Sequence, residues 1–327
     1  MQIAHQWKAD HLVSEECCPL CGERSSTHLF IRPDGLPLEE CTACRFVYLG
    51  VRPNETALEQ YYAEHYFTGS FTNSTYSHYF DYAEAVIDLN YCPRLQRLEP
   101  FITQWQGKKV LEIGCAAGAT LELLRRKGAL VRGIEISAEA VAIARDHYHL
   151  DVSCAPFESF LLANQSYDVI MLFDVLEHLP EPRHTLDRLV EALVPGGFLV
   201  LTVPNFSCFD QVGTVWSGVQ SYWEHLHYFR PDVLLTTLQQ RGCIVTEIHS
   251  FTAAGQQEGK GVVQVITEAR RLSLQKLIDK FPPLHHLKRL VRSLKFRLTG
   301  PPALPRSLNF SGMDMFCLVQ KKTDEQV

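Results

Sequence analysis

The sequence has no long uninterrupted apolar run. Nowhere in its 327 residues does such a run approach the roughly eighteen residues that a membrane-spanning helix needs. The first ten residues, MQIAHQWKAD, lack the apolar core of a secretory signal. There is also no internal repeat and no low-complexity tract. We therefore expect a globular, cytoplasmic protein without a transmembrane segment.

An excess of basic residues is also missing. Lysine and arginine number 31 against 37 aspartates and glutamates, which gives a net charge of -6. Whole-chain electrostatics thus give no indication of a nucleic-acid partner. A hydrophobic content of 46% with 21% charged residues is that of an ordinary globular protein, long enough for one large core and a small module.

Cysteine is plentiful, and its spacing is informative. Five of the eleven cysteines lie between residues 17 and 45, and four of them form the pairs Cys18-Pro-Leu-Cys21 and Cys41-Thr-Ala-Cys44. Two such pairs can place four thiolates around one zinc ion, with no coordination position left open for catalysis. The spacing predicts a structural zinc site, with Cys17 as a spare thiol. The alternative is four free buried thiols.

From residue 108 onward, short apolar strands alternate with helices. This pattern is typical of a parallel sheet that is covered by helices on both faces. The predicted strands are 108–114, 130–137, 151–155, 167–174, 196–204, 243–251 and 314–322. The predicted helices are 81–101, 118–127, 138–147, 182–193 and 231–242.

The turn after the first strand, in LEIGCAAGATL (111–121), is rich in small residues. Glycines at this position bring the backbone close to a ligand, as in nicotinamide enzymes. Two acids argue against a pyrophosphate there. Glu112 precedes the turn and suits a cationic amino group, and Glu135 ends the second strand, where its carboxylate can accept both hydroxyls of a ribose.

LEIGCAAG, IEIS, YDVIMLFDVLEHL and PGGFLVLTVPN, in this order, resemble the motifs of class I S-adenosylmethionine methyltransferases. The resemblance implies a doubly wound, seven-stranded Rossmann-like α/β sheet whose last strand is antiparallel. It also implies a small-molecule acceptor and S-adenosylmethionine as the cofactor. The residues that it assigns to the cofactor are Glu112, Gly114, Cys115, Ala116, Gly118, Glu135, Ile136, Ala155, Phe157, Phe173 and Asp174.

Catalytic candidates follow the fourth and fifth strands, at the sheet edge where such folds bind ligands. A hydroxyl or carbon acid needs a base, and histidine titrates near neutral pH. The candidates are His178, Tyr222, His225 and His227. The alternative is that these rings only pack the loop.

We divide the chain into a zinc-ribbon-like module (1–50), an aromatic connecting segment (51–80) and a methyltransferase domain (81–327) with a helical insertion at about 252–311. Tyrosines of the connecting segment, such as Tyr61 and Tyr62, form either a lid over the cofactor or a seam between ribbon and domain. The insertion contains the basic amphipathic segment 284–298, a surface helix that could contact an anionic membrane or a protein.

A zinc ribbon before such a domain resembles two arrangements. One belongs to bacterial surface-polysaccharide or deoxysugar pathways, and the other to ribosomal RNA methyltransferases. The aromatic segments YYAEHYF and HLHYF favour the first, with a sugar or nucleotide-sugar as the acceptor. The alternatives are an RNA methyltransferase that binds its substrate through the ribbon, and a non-catalytic cofactor-binding scaffold.

Overall fold

The computed structural model describes residues 5–62, 95–220, 223–251, 314–323 and 326. The predicted helix 284–298, the whole predicted insertion at about 252–311 and Tyr222 lie outside these residues, as does most of the predicted helix 81–101. Within the described residues, no helix combines the length and the apolar character needed to cross a membrane.

A seven-stranded sheet forms the centre of the fold. Its order is β12-β13-β10-β9-β6-β7-β8, and β13 runs antiparallel to both of its neighbours. This matches the predicted doubly wound sheet with an antiparallel last strand. The strands are β6 (Lys109–Ile113), β7 (Leu130–Glu135), β8 (Val152–Cys154), β9 (Tyr167–Phe173), β10 (Leu193–Pro204), β12 (Cys243–Phe251) and β13 (Asp314–Lys321).

Helices connect these strands and cover the sheet. Two apolar core clusters lie on its two faces, with Leu111 and Ile113 in one cluster and Val110 in the other. Side chains alternate along a strand, so a buried strand supplies both clusters. The helices are α1 (Glu55–Tyr61), α2 (Ala119–Arg126), α3 (Ala138–Asp146), α4 (Pro182–Ala192), α5 (Ser207–Val212), α6 (Ser217–Gln220) and α7 (Pro231–Gln240).

The N-terminal residues form two small sheets. β1 (Leu12–Ser14) pairs with β5 (Val51–Pro53). The second sheet has the order β11-β4-β3-β2, from β2 (Ser26–Ile31), β3 (Pro37–Cys41), β4 (Val47–Leu49) and β11 (His227–Tyr228). Its fourth strand therefore comes from the loop that follows β10, so the N-terminal residues and the later loop share one sheet.

Candidate active site

A cavity of about 330 Å³ opens at the carboxyl ends of the parallel strands. The chain runs from β6 to β7 and β8 on one side, then crosses to β9 on the other, so the strand order reverses between β6 and β9. In open α/β sheets this reversal is the place where ligands bind. The cavity lies there, since Gly114 follows β6 and Asp174 follows β9, and both line it.

Most residues that the resemblance assigns to the cofactor line this cavity, but three do not. Glu112 and Cys115 are buried. The Cys115 thiol packs so closely on Gly133 that a Cβ atom added at Gly133 would be 2.5 Å from the Cys115 sulfur. Gly118 packs against Leu150 instead. The assigned residues that line the cavity are Gly114, Ala116, Glu135, Ile136, Ala155, Phe157, Phe173 and Asp174.

The turn between β6 and α2 contains three residues with left-handed backbone. Gly114, Ala116 and Gly118 have φ angles of 69°, 47° and 83°. At Gly118 a Cβ atom would be 2.5 Å from Leu150 Cδ1, so glycine is needed both for the backbone angle and for close packing of α2. Ala116 adopts the same backbone region as a non-glycine residue, at an energetic cost that such turns concentrate near ligand sites.

The Glu135 carboxylate holds this turn against the end of β7. Oε2 accepts a hydrogen bond from the Ala116 amide at 2.9 Å, and Oε1 accepts from the amides of Ile136 and Ser137 at 2.8 and 2.9 Å. Burial raises the pKa of Glu135, while these three amides act in the opposite direction. Each carboxylate oxygen has two lone pairs, so Oε2 retains acceptor capacity toward the cavity.

Across the cavity, the end of β9 presents a second acid beside aromatic rings. Asp174 has left-handed backbone, with a φ of 58°, and its Oδ1 accepts a hydrogen bond from Thr202 Oγ1 at 2.8 Å. Phe173, Tyr62 and His178 line the same end. Tyr62 thus contributes to the cavity wall, whereas the Tyr61 hydroxyl is 3.3 Å from Glu224 Oε2.

Two of the predicted catalytic histidines lie together with a buried acid. The His178 and His225 rings are 4.8 Å apart between centroids, and Glu177 Oε1 is 3.8 and 4.0 Å from their Nε2 atoms. His178 Nδ1 is 3.3 Å from the Glu224 carbonyl oxygen, which can only accept, so Nδ1 carries the proton. His178 Nε2 therefore has a lone pair when the ring is neutral.

Burial sets the protonation of this cluster. It lowers the pKa of His178 to about 4 and that of His225 well below its usual value. Burial raises the pKa of Glu177 well above its usual value. The nearby negative charges of Asp174, Asp314 and Glu224 act in the same direction. Both imidazoles are thus neutral near neutral pH, so each has a lone pair, and the lowered pKa makes each a weaker base than an exposed imidazole.

Replacing Glu177 with glutamine should change how stability depends on pH. Glu177 is 1% exposed, and neither carboxylate oxygen has a hydrogen-bond partner among the described residues. Because its folded pKa is raised, the wild-type protein loses stability as pH rises above the unfolded value of about 4.3. We expect Glu177→Gln to match wild type near pH 4 and to exceed it at pH 8 by about 1–3 kcal/mol.

Urea unfolding at both pH values measures this difference, with the exposed Glu181→Gln as the control that should show none. A Glu177→Gln variant that is less stable than wild type at pH 8 would contradict the prediction. That result would mean that the carboxylate has a cationic partner.

The remaining predicted candidates lie elsewhere. His227 is 1% exposed and does not line the cavity. Its Nε2 donates toward the Pro180 carbonyl at 3.3 Å, and its ring contacts Phe46. This position gives His227 a packing role, and of the three described histidine candidates only His178 lines the cavity. Of His225 and His227, it is His225 whose ring packs against His178.

Sequence reasoning missed several parts of the site. Helix α1 contributes Glu55, Leu58 and Glu59 to the cavity wall, although its sequence was assigned only to a connecting segment. Glu177 was overlooked as well. Its signal was present, since an acid beside His178 in DVLEHLPEP directly follows the strand that ends at the site.

The four predicted metal ligands converge on one point near the N-terminus. The sulfurs of Cys18, Cys21, Cys41 and Cys44 lie within 4.8 Å of one another, with Cys18–Cys44 at 3.7 Å and Cys21–Cys41 at 3.5 Å. Tetrahedral zinc with Zn–S bonds of about 2.3 Å requires sulfur separations of roughly 3.8 Å. The thiols therefore fit a zinc ion, whereas Cys17 is not part of the cluster.

Each of the two cysteine pairs is followed directly by a residue with left-handed backbone. The Gly22 amide donates to the Cys18 carbonyl and the Arg45 amide to the Cys41 carbonyl, at 2.9 and 3.0 Å, with φ angles of 82° and 63°. Glycine is common at this position because it adopts such angles without cost. Arg45 does so with a side chain that is largely exposed.

We expect Arg45→Gly to leave the free energy of unfolding within about 0.5 kcal/mol of wild type. Relief of the left-handed backbone offsets the loss of exposed ion pairs with Glu40 and Asp232. Arg45→Val, which is branched at Cβ, should lower the free energy by about 1–2 kcal/mol. Chemical denaturation of both variants tests this, and a valine variant as stable as the glycine variant would refute it.

Comparison with known proteins agrees with this architecture. Residues 82–248, slightly more than half of the chain, match the family model of a methyltransferase domain. The chain therefore belongs to the methyltransferase-domain family. The class I methyltransferase and the fold class expected from the sequence are thereby confirmed.

Individual relatives match shorter parts. The ubiquinone biosynthesis O-methyltransferase of Coxiella burnetii is 31% identical over 117 residues, covering 34% of this chain and 50% of that protein. The enzyme of the same name from Bordetella avium is 26% identical over 165 residues, covering 46% and 67%. The chain thus spans about half to two thirds of these curated relatives. A solved S-adenosylmethionine-dependent methyltransferase from Mesorhizobium loti is 16% identical, with 69% and 96% covered and a TM-score of 0.44.

Proposed function

We propose that this protein transfers a methyl group from S-adenosylmethionine to a small-molecule acceptor. One observation carries the proposal, namely the acidic lining of the cavity. The described lining contains five carboxylates, no lysine and no arginine. Such a wall favours a cationic cofactor and disfavours the pyrophosphate of a dinucleotide. The five acids are Glu55, Glu59, Glu135, Glu158 and Asp174.

Each part of the cofactor has a counterpart in this wall. Oε2 of Glu135 is placed to accept a hydrogen bond from one ribose hydroxyl, while the Gly114–Gly118 turn admits the methionine part. Ala155 and Phe157 line the adenine side, where the guanidinium of Arg188 stacks on Phe157 at 4.3 Å. S-adenosylmethionine supplies an electrophilic methyl group on a sulfonium centre. The protein must align the acceptor with that group and exclude water.

We assign the acceptor's proton to the pair His178 and His225. His178 lines the cavity and holds an unprotonated Nε2, while His225 packs directly on it. An acceptor hydroxyl or carbon acid would lose its proton to this pair as the new bond to the methyl group forms. Tyr222 is the third candidate of this loop and lies outside the described residues.

For the acceptor we propose a sugar or nucleotide-sugar whose ring, rather than its phosphates, faces the cavity. The acidic wall repels phosphate and equally disfavours an RNA backbone. The names of the Coxiella and Bordetella relatives make a phenolic hydroxyl the second class to test. We also propose that the four-cysteine cluster binds one structural zinc ion. We place the reaction in the cytosol, a reducing compartment, because none of the ten described cysteines forms a disulfide.

Calorimetric titration with S-adenosylmethionine, followed by transfer of its tritiated methyl group to nucleotide-sugars, free sugars and dihydroxyphenols, tests the proposal. We expect micromolar binding and labelling of one acceptor class. NAD serves as the control and should not bind. No binding of S-adenosylmethionine by folded, zinc-loaded protein would refute the proposal. Binding without transfer to any acceptor would favour a cofactor-binding scaffold.

A further inference from the structure

The segment that carries His225 has almost no regular secondary structure of its own. Residues 223–226 precede the two-residue strand β11, and their backbone is fixed by hydrogen bonds to distant parts of the chain. The Glu224 carbonyl oxygen accepts from His178, and the Leu226 carbonyl oxygen accepts from the Leu49 amide at 3.0 Å. The two remaining carbonyl oxygens, those of Trp223 and His225, both accept from one side chain of the N-terminal module.

That side chain is Arg32, which follows β2. Its Nη1 donates to the His225 carbonyl oxygen at 2.9 Å and to the Tyr228 hydroxyl at 2.8 Å. Its Nη2 donates to the Trp223 carbonyl oxygen at 3.0 Å. The guanidinium therefore contacts the segment on both sides of Glu224 and also reaches β11.

Asp34 fixes the guanidinium from the opposite side. Its carboxylate accepts from Nε at 3.1 Å and from Nη2 of Arg32, and both side chains are 0% exposed. Trp7 Nε1 donates to the same carboxylate at 3.0 Å. All five N–H groups of the guanidinium thus have acceptors, in the planar fork that only arginine provides.

We propose that Arg32 is a positioning residue that holds the His225 backbone against His178. The N-terminal module would thereby build the acceptor side of the active site, which we define as the side that contains His178 and His225. The assignment of His225 to that side rests on the proposed function, but the contacts of Arg32 do not. Arg32 itself would not contact the acceptor. The N-terminal module would affect catalysis by fixing the conformation of residues 223–228. Loss of Arg32 should therefore loosen residues 223–228 and spare the cofactor half of the cavity.

Hydrogen–deuterium exchange of the full-length, zinc-loaded protein tests this without any acceptor. In Arg32→Met we expect amides of peptides covering 223–228 to exchange at least tenfold faster, the Leu226 amide on the Glu177 carbonyl among them. Affinity for S-adenosylmethionine should stay within threefold of wild type, with one zinc per chain. Arg24→Met, on an exposed arginine of the same module, is the matched control and should change nothing.

Arg32→Lys separates positioning from folding, because lysine keeps the charge but lacks the fork. We expect exchange intermediate between wild type and Arg32→Met. With any acceptor labelled in the transfer assay, kcat should fall in the same order while KM for S-adenosylmethionine is unchanged.

Unchanged exchange at 223–228 in both Arg32 variants would overturn the proposal. So would simultaneous loss of cofactor affinity or zinc in Arg32→Lys, because Arg32 would then support the whole fold. If wild type itself fails to bind S-adenosylmethionine, the proposed function fails, and the exchange data still decide whether Arg32 holds the loop.

Discussion

Replacing Glu135 with alanine should weaken S-adenosylmethionine binding by about 10- to 100-fold. The variant loses the carboxylate that we assign to a ribose hydroxyl, and a hydrogen bond to a charged group contributes about 1.5–3 kcal/mol. One such bond corresponds to about one to two factors of ten in Kd, at about 1.4 kcal/mol each. The variant also loses the acceptor of the Ala116 amide, so the turn after β6 should loosen. Calorimetric titration measures the change in affinity.

The control is Glu139→Ala, an exposed acid in the first turn of α3, four residues further along. It should bind S-adenosylmethionine as wild type does. Circular dichroism and the thermal midpoint of Glu135→Ala show whether the sheet remains intact. Near-normal affinity in a folded Glu135→Ala protein would remove Glu135 from the cofactor site and would require a different ligand orientation in the cavity.

Removing one thiol of the four-cysteine cluster should have the largest effect on stability. Structural zinc sites contribute about 10–16 kcal/mol of apparent binding free energy in small modules. We expect Cys18→Ser to lose zinc and to lower the thermal midpoint by more than 10 °C. Metal analysis and a thermal melt measure both effects.

Cys17→Ser provides a matched control at the neighbouring position, because Cys17 is not part of the cluster. It should retain one zinc per chain and the wild-type midpoint. A Cys18→Ser protein that keeps full zinc content would show that Cys17 replaces Cys18 as a ligand. The Glu177, His178 and His225 group also has ligand atoms within 4.8 Å. A second metal equivalent that disappears in His178→Ala would identify that group as a metal site.

The central sheet could be predicted closely from the sequence because its signals are local. Buried parallel strands are short apolar runs, and the strands predicted at 167–174 and 243–251 occur as Tyr167–Phe173 and Cys243–Phe251. The helix predicted at 138–147 occurs as Ala138–Asp146, and the side chain of Ser137 directly before it accepts from the Ala140 amide. The two cysteine pairs can also be recognised from the sequence, since each pair spans only four consecutive residues.

The acceptor side could not be predicted in the same way, because its contacts join distant residues. Arg32 and His225 are 193 positions apart, and no periodicity relates them. The two-residue strand β11 is too short to give a pattern, and its pairing with Val47–Tyr48 appears only in the folded chain. Helix α1 reads as an ordinary amphipathic segment, and nothing local shows that its acids face the cavity.

The strand β11 also determines how the protein can be divided. Its pairing with β4 and the ion pair of Arg230 with Glu40 join residues on either side of the nominal boundary at residue 50. A fragment that begins after this boundary would expose the unpaired edge of β11 and the apolar side of Tyr228, a surface prone to aggregation. We therefore expect the N-terminal module to unfold together with the loop that it pairs with, in a single transition.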